Sequence, residues 1–153
     1  MELRSAVSPY GLVESKRGLG GQGIAQQFQI VNAVNGTPYY IVVKHRNSIE
    51  TWSKSGGEIF TNGTLTYNFT TAASQAFGNN MVLVNGKYSL YAADVNQDGI
   101  IDATDLSMVD NDAFNFVSGY VITNVNGDDI VDGSDLSVVD NNAFNLVTKI
   151  TPQ

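Results

Sequence analysis

Three features of the 153-residue chain predict a mixed fold, with a β-rich half over residues 1–92 and a loop-and-helix half over residues 93–153. Apolar and polar residues alternate in the first half, as in strands with one buried face. In the second half a twelve-residue loop pattern occurs twice, and an amphipathic segment follows each copy. Charge divides at nearly the same point: residues 1–93 carry seven Lys or Arg and four Glu (net +3), whereas residues 94–153 carry one Lys and eleven Asp (net −10).

The first half predicts about six to eight strands in a small antiparallel β-sandwich (Ig-like). Asn-Gly turn signals at Asn35, Asn62 and Asn85 separate these strands. The alternating apolar sets are Phe28, Ile30 and Val34; Tyr39, Ile41 and Val43; and Leu65, Tyr67 and Phe69. The glycine-rich residues 16–23 predict a loop that leads into a strand at Ile24. No Pro/Ser-rich linker separates the halves, so we expect a fixed mutual orientation.

The duplicated loops are DVNQDGIIDATD, residues 94–105, and NVNGDDIVDGSD, residues 124–135. Oxygen-bearing side chains fall at loop positions 1, 3, 5, 9 and 12, and position 7 offers its main-chain carbonyl, which is the spacing of a calcium loop. In loop one the expected ligands are Asp94, Asn96, Asp98, Ile100, Asp102 and Asp105. In loop two they are Asn124, Asn126, Asp128, Ile130, Asp132 and Asp135. The sequence therefore predicts two calcium ions, against the alternative that these Asp/Asn/Gly-rich segments are ordinary turns.

Loop two departs from the pattern at two positions. Asn124 replaces an acid at position 1, and Asp129 replaces the glycine that loop one has at position 6, Gly99. Fewer carboxylates predict a lower affinity for calcium. A non-glycine residue in a left-handed conformation costs on the order of 1 kcal/mol more. We expect loop two to be the weaker site.

A short helix is predicted after each loop. Leu106, Val109 and Ala113, which recur as Leu136, Val139 and Ala143, lie at i, i+3 and i+7 and so share one helical face. Thr104 and Ser134 are the expected N-caps. Apolar Ile101 and Val131 hold position 8 of the loops, where the two loops are expected to meet in a short strand contact.

A loop followed by one helix, duplicated, resembles the dockerin type I family over about residues 91–147. The segments before the loops read as strands and not as the entering helix of an EF-hand. The resemblance implies a tandem dockerin-like, calcium-dependent module that docks onto a cohesin-like protein domain in extracellular polysaccharide degradation. It also implies two docking orientations. The implied partner-binding residues are Ala103, Thr104, Asp110 and Asn111, with their repeats Gly133, Ser134, Asp140 and Asn141.

The β-rich half, through PYYIVVKHRNSIETWS and GKYSLYAADVNQDG, resembles a module that precedes such repeats near the C-terminus of large secreted bacterial proteins. The resemblance implies a non-catalytic module for attachment or sorting, extracellular or at the cell surface. The absence of cysteine excludes thiol nucleophiles and thiolate metal sites. No long apolar run and no signal-peptide pattern is present in the sequence, so no membrane span is expected.

Other functional classes have little support in the sequence. Glu50 and Glu58 are the best remaining pair of acids for glycoside hydrolysis, but no other cue accompanies them, and we expect no enzyme. His45 is the only histidine, which argues against a multi-histidine zinc site. The acidic chain predicts no nucleic-acid binding. Two alternatives to docking stay open: a carbohydrate-binding β module with a calcium appendage, in which Trp52, Tyr39 and Tyr40 would stack on a glycan, and a purely structural or sorting C-terminal cap.

Overall fold

A computed structural model describes residues 1–18 and 26–153, and it has antiparallel sheets together with two α-helices. The mixed class is thereby confirmed. The described strands are β1 (Glu2–Ser5), β2 (Leu12–Ser15), β3 (Pro38–His45), β4 (Ser48–Trp52), β5 (Glu58–Ile59), β6 (Val82–Val84) and β7 (Lys87–Ser89). The helices are α1 (Ala103–Phe114) and α2 (Gly133–Phe144), and three short 3-10 turns lie at Phe69–Thr71, Ala73–Gln75 and Phe77–Asn79.

Five strands form one antiparallel sheet in the order β2-β1-β3-β4, and β5 pairs with the start of β3. The long strand β3 is central in the sheet, and side chains on both of its faces are buried. Tyr40 and Val42 are buried with Trp52, which lies opposite Val42 on β4. On the other face Tyr39 is buried, but Ile41 is only half-buried. The predicted alternation in β3 is therefore real, and the more deeply buried face is the one that the sequence analysis did not select.

Two predicted strands are wrong. Residues 28–34 are not in a strand, and residues 65–69 run without strand pairing into a 3-10 turn. Side chains hold both segments. The carboxylate of Glu14 accepts the N–H groups of Val31 and Asn32, each at 2.9 Å. The Tyr67 hydroxyl accepts the Lys54 N–H at 3.2 Å. The strand predicted at Ile24 and most of the glycine-rich loop before it lie outside the described residues.

The hairpin β6-β7 forms a separate two-stranded sheet beside α2. Val82 and Val84 of β6 and Val138 of α2 line an open apolar groove of about 360 Å³ between them. Among the described residues, no helix is long and apolar enough to cross a membrane.

Each helix starts with a capping box, which corrects the predicted N-caps. Asp102 and Asp132 are the N-caps, and each accepts the N–H of the residue two positions on, Thr104 and Ser134, at 2.7 Å. The carboxylate of Asp105 accepts the Asp102 N–H in return, at 3.0 Å. Thr104 and Ser134 are thus inside the first turn. Aspartate caps a helix as well as threonine does, and an acid three residues later completes the box.

One apolar cluster joins the sheet to the repeats. Ile49 of β4 is buried with Ala93, Val95, Ile101, Val109, Val131, Val139 and Val147. The predicted face of each helix therefore packs inward through Val109 and Val139. The sheet continues toward loop one, because the Ile49 N–H donates to the Tyr91 carbonyl at 2.9 Å and the Ala93 N–H to the Asn47 carbonyl at 2.6 Å.

The expected strand contact between Ile101 and Val131 is wrong. Each position-8 residue pairs instead with the segment that follows the other repeat's helix. The Ile101 N–H donates to the Val147 carbonyl, and the Val131 N–H donates to the Val117 carbonyl, each at 3.0 Å. Both side chains still meet in the apolar cluster. This crosswise pairing gives the two repeats a pseudo-twofold relation.

Candidate metal centres

Both loops contain two residues with positive φ, at positions 4 and 6. Loop one has Gln97 (φ 61°) and Gly99 (φ 91°), whereas loop two has Gly127 (φ 81°) and Asp129 (φ 78°). Each loop thus has one glycine for two left-handed positions, and the strained residue sits at position 4 in one loop and at position 6 in the other. The two left-handed residues bend the chain sharply within each loop.

The same hydrogen bonds recur in both loops. At position 3 the amide oxygen accepts the position-5 N–H at 2.9 Å, in Asn96 and again in Asn126. At position 5 the carboxylate accepts the position-7 N–H, at 2.9 Å for Asp98 and at 3.1 Å for Asp128. Position 12 is fully buried, and its Oδ1 accepts the position-2 N–H at 2.8 Å, in Asp105 as in Asp135. The repeat in sequence is therefore a repeat in geometry.

The position-7 carbonyls lie outside the crosswise pairing. Loop one pairs through the Gly99 carbonyl and the Ile101 N–H, on either side of Ile100. Loop two does the same around Ile130. The carbonyl oxygens of Ile100 and Ile130 are therefore left out of these pairings, at the position where a calcium loop uses its main-chain oxygen.

Position 1 distinguishes the loops electrostatically. Asp94 is only 2 % exposed, and its Oδ1 has no hydrogen-bond partner among the described residues. Burial raises the pKa of Asp94, the negative charges of Asp105 and Asp98 raise it further, and nearby backbone N–H groups oppose the rise. A buried carboxylate with an unpaired oxygen is costly unless a cation or a donor reaches it.

Asn124 holds the same place in loop two and is satisfied within the protein. Its amide oxygen accepts the Gly127 N–H at 2.8 Å, and its amide nitrogen donates to the Gly119 carbonyl at 3.3 Å. It also carries no charge. The position-1 side chain of loop two therefore has all its hydrogen-bond partners within the protein, whereas Asp94 of loop one has an oxygen without a partner.

The residue that faces position 6 differs between the loops, and this difference explains why loop two tolerates an aspartate there. A Cβ on Gly99 would lie 2.5 Å from Cδ of Lys149, so a side chain there would have to displace that of Lys149. The residue that pairs with loop two at the corresponding place is Gly119, whose N–H donates to the Asp129 carbonyl at 2.8 Å. The small and large residues have exchanged places between the repeats, so Asp129 meets no bulky side chain from that position.

Among residues 1–18 and 26–153, no three Asp, Glu, His or Cys side chains are gathered into a metal cluster. Calcium loops do not depend on such a cluster, because amide oxygens, a main-chain carbonyl and water complete the coordination. The donor set of loop one fits the ion on three grounds. These are the unpaired buried oxygen of Asp94, the carbonyl of Ile100 outside the pairing, and the exposed side chains of Asn96 and Asp98, whose oxygens accept bonds only from within the loop.

All eight residues of the implied partner face are exposed. They flank the start and the middle of the two helices, Ala103, Thr104, Asp110 and Asn111 on α1, and Gly133, Ser134, Asp140 and Asn141 on α2. Large apolar residues at the C-terminal ends of the helices are also exposed, Phe114 and Phe116 in the first repeat and Phe144 and Leu146 in the second.

The residues considered for other functions are buried or paired with other side chains of the protein. Trp52, Tyr39 and Tyr40 are each only 5 % exposed, so their rings pack in the core and do not form an open platform for a sugar. The Trp52 Nε1–H donates to Glu50 at 2.7 Å, and Lys44 pairs with Glu50 at 3.0 Å. Glu58 pairs with Lys54 at 3.5 Å. Burial and the charge of Arg46 lower the pKa of His45.

Comparison with known proteins found no matching family model, no similar curated protein and no similar solved structure.

Three residues outside the predicted ligand sets also contact the loops. Gln97, at position 4, donates through Nε2 to the Asp94 carbonyl at 2.6 Å and to the Ser48 carbonyl at 3.4 Å. Arg46 and Asn47, in the β3-β4 turn, reach the segment that leads into loop two. Gln97 stood inside the motif, but nothing in the sequence connects the other two with a loop about 75 positions away.

Proposed function

We propose that the chain is a calcium-binding, non-catalytic docking module of a secreted protein, and that it binds a cohesin-like protein domain when calcium is present. The observation that carries the proposal is Asp94, a buried carboxylate with an unpaired oxygen at position 1 of a loop whose other positions also match. Ordinary turn chemistry gives no reason to bury such a charge, because an aspartate in a turn normally bonds to nearby N–H groups or to water.

We further propose two ions, with loop two the weaker site, and a dockerin-like pairing of the repeats as the finer fold. The pseudo-twofold pairing of the repeats supports that fold. The Ig-like sandwich stays part of the proposal for the β-rich half, and the five-stranded antiparallel sheet supports it only in part. The module boundary between residues 92 and 93 stays a prediction.

The partner face belongs to the same proposal. Its support is that all eight residues are exposed and that they repeat on the two helices. Asp110 and Asp140 make it acidic, and the described helices carry no basic residue in their last turns. A partner surface with basic residues fits this charge. We place the module outside the cell or at its surface, where calcium near about 10⁻³ M fills loops of modest affinity.

The first test is calorimetric titration of calcium into chelator-treated protein, with circular dichroism on the same samples. We expect two binding events and a gain of order in loop one at least, since the ion offsets the repulsion between the carboxylates that the loop holds together. Asp98→Ala and Asp128→Ala are matched controls, each of which should remove one event. If no heat is released and neither variant differs from the parent, the loops are turns and the proposal fails.

The docking step has its own test, binding to a purified cohesin domain in calcium and in chelator. Two equivalent orientations predict that Asp110→Lys and Asp140→Lys each leave most of the binding intact, while the double variant abolishes it. Calcium binding without any cohesin binding would reject docking and favour the structural cap. In that case calcium would still raise the thermal midpoint by mass action.

A further inference from the structure

The β3-β4 turn reaches across the molecule to the start of loop two. Asn47 is buried, and its Nδ2 donates to the carbonyls of Ile122 at 3.0 Å and Asn124 at 2.9 Å. The guanidinium of Arg46 donates to the carbonyls of Val121 and Asn124, the latter at 3.3 Å. We call Arg46 and Asn47 the brace.

An aromatic ring fixes the brace from the outside. The guanidinium carbon of Arg46 lies 4.0 Å from the ring centre of Tyr120, a cation-π geometry. The brace therefore makes four hydrogen bonds and one ring contact with a five-residue segment, residues 120–124. The last residue that the brace contacts is Asn124, at position 1, so the brace fixes the position of the first residue of loop two.

Loop one is held differently. Its approach is tied to the sheet by main-chain bonds as far as Ala93, and Gln97 Nε2 donates to the Asp94 carbonyl within the loop and, at 3.4 Å, to the Ser48 carbonyl of β4. No described side chain donates a hydrogen bond to the unpaired oxygen of Asp94. In loop two, by contrast, the side chain of Asn124 is satisfied and its main chain is held by the brace.

We propose that Arg46 and Asn47 are positioning residues that keep loop two in its folded shape without calcium, so that only loop one changes its order when the ion binds. The inference rests on the proposed function for its account of loop one. It goes beyond the expected difference in affinity, because it gives the sheet a role in the repeat and makes the two repeats unequal in their need for the ion. The positive charge of Arg46 beside loop two also opposes the approach of a cation there.

Hydrogen exchange followed by mass spectrometry, on the whole chain with calcium or with chelator, tests the inference. In chelator we expect peptides covering residues 94–105 to exchange at least about tenfold faster than in calcium, and those covering residues 121–135 to change by less than about twofold. Equal loss of protection in both loops on calcium removal would overturn the inference.

Arg46→Gln is the decisive variant, because it shortens the reach and removes the charge at a half-buried site on a turn. In chelator it should speed exchange in residues 121–135 by about tenfold and leave residues 94–105 unchanged. Gln97→Ala is the matched control and should affect loop one alone. Unchanged protection of loop two in Arg46→Gln would overturn the role of the brace. If neither loop of the parent responds to calcium, the proposed function fails, but the chelator comparison of Arg46→Gln still decides whether the brace orders loop two.

Discussion

Exchanging the position-1 residues between the loops is the sharpest test of the metal centres. Asp94→Asn removes a buried charge whose Oδ1 has no partner in the described residues. An unsatisfied buried polar atom costs about 1–3 kcal/mol. In chelator the variant keeps a buried oxygen but loses its charge, so it should be more stable than the parent by up to about that amount, which for a chain of this size is roughly 2–4 °C of thermal midpoint per kcal/mol.

Calcium should reverse the sign of this difference. An ion at about one thousand times its dissociation constant stabilises the folded state by about 4.1 kcal/mol, which is more than the difference expected in chelator. Asp94→Asn forfeits much of that gain, because it loses the carboxylate at position 1. The parent should then be the more stable protein in calcium and the less stable one in chelator.

The assay is thermal or urea unfolding of both proteins, with calcium and with chelator. Asn124→Asp is the mirror control: it places an uncompensated charge in loop two, so it should destabilise the metal-free protein and tighten calcium binding. A shift of the same sign in both conditions for Asp94→Asn would refute the reasoning, because a residue that serves only a turn does not respond to the ion.

Three further outcomes are expected. Gly99→Ala should destabilise by about 1–2 kcal/mol, mainly through its positive φ, and Lys149→Ala should restore the smaller part that comes from displacing the Lys149 side chain, seen as a coupling in a double-mutant cycle. Additive losses would refute the contact. Because burial raises the pKa of Asp94, the folded metal-free protein holds that proton more tightly than the unfolded chain, so stability should fall as pH rises through the raised pKa. Urea unfolding across pH should show this fall, and Asp94→Asn should flatten it; equal slopes would count against a raised pKa. Trp52→Ala should cost about 3–5 kcal/mol, and the exposed Phe114→Ala less than about 0.5 kcal/mol, by urea unfolding. A small loss at Trp52 would contradict its place in the core.

The loops could be located from sequence because each has a short, dense pattern that local chemistry explains. Position 12 is buried in both copies, as Asp105 and Asp135, and accepts a main-chain N–H from position 2. The N-caps were misplaced by two residues because Asp102 and Thr104 are both good caps, and only the acid at Asp105 fixes which residue leads the box.

What could not be predicted depends on distant parts of the chain. Phe28, Ile30 and Val34 alternate as in a strand, yet Glu14 holds that segment through its side chain, and no alternation records such a bond. The brace is a second case, since Asn47 looks like an ordinary turn residue. The unpaired oxygen of Asp94 is a third, because burial depends on the whole core.

The crosswise pairing of the repeats means that neither repeat is complete alone. Loop one takes its strand partner from Val147, beyond α2, and loop two takes its partner from Val117, beyond α1. The helices follow the same rule, since Asn142 of α2 donates to the Ala92 carbonyl before loop one, and Asp112 of α1 accepts the Thr123 hydroxyl before loop two. Such an arrangement is that of an intertwined homodimer whose two subunits have been joined head to tail. An isolated thirty-residue repeat would have to recruit a second copy of itself to fill the same bonds.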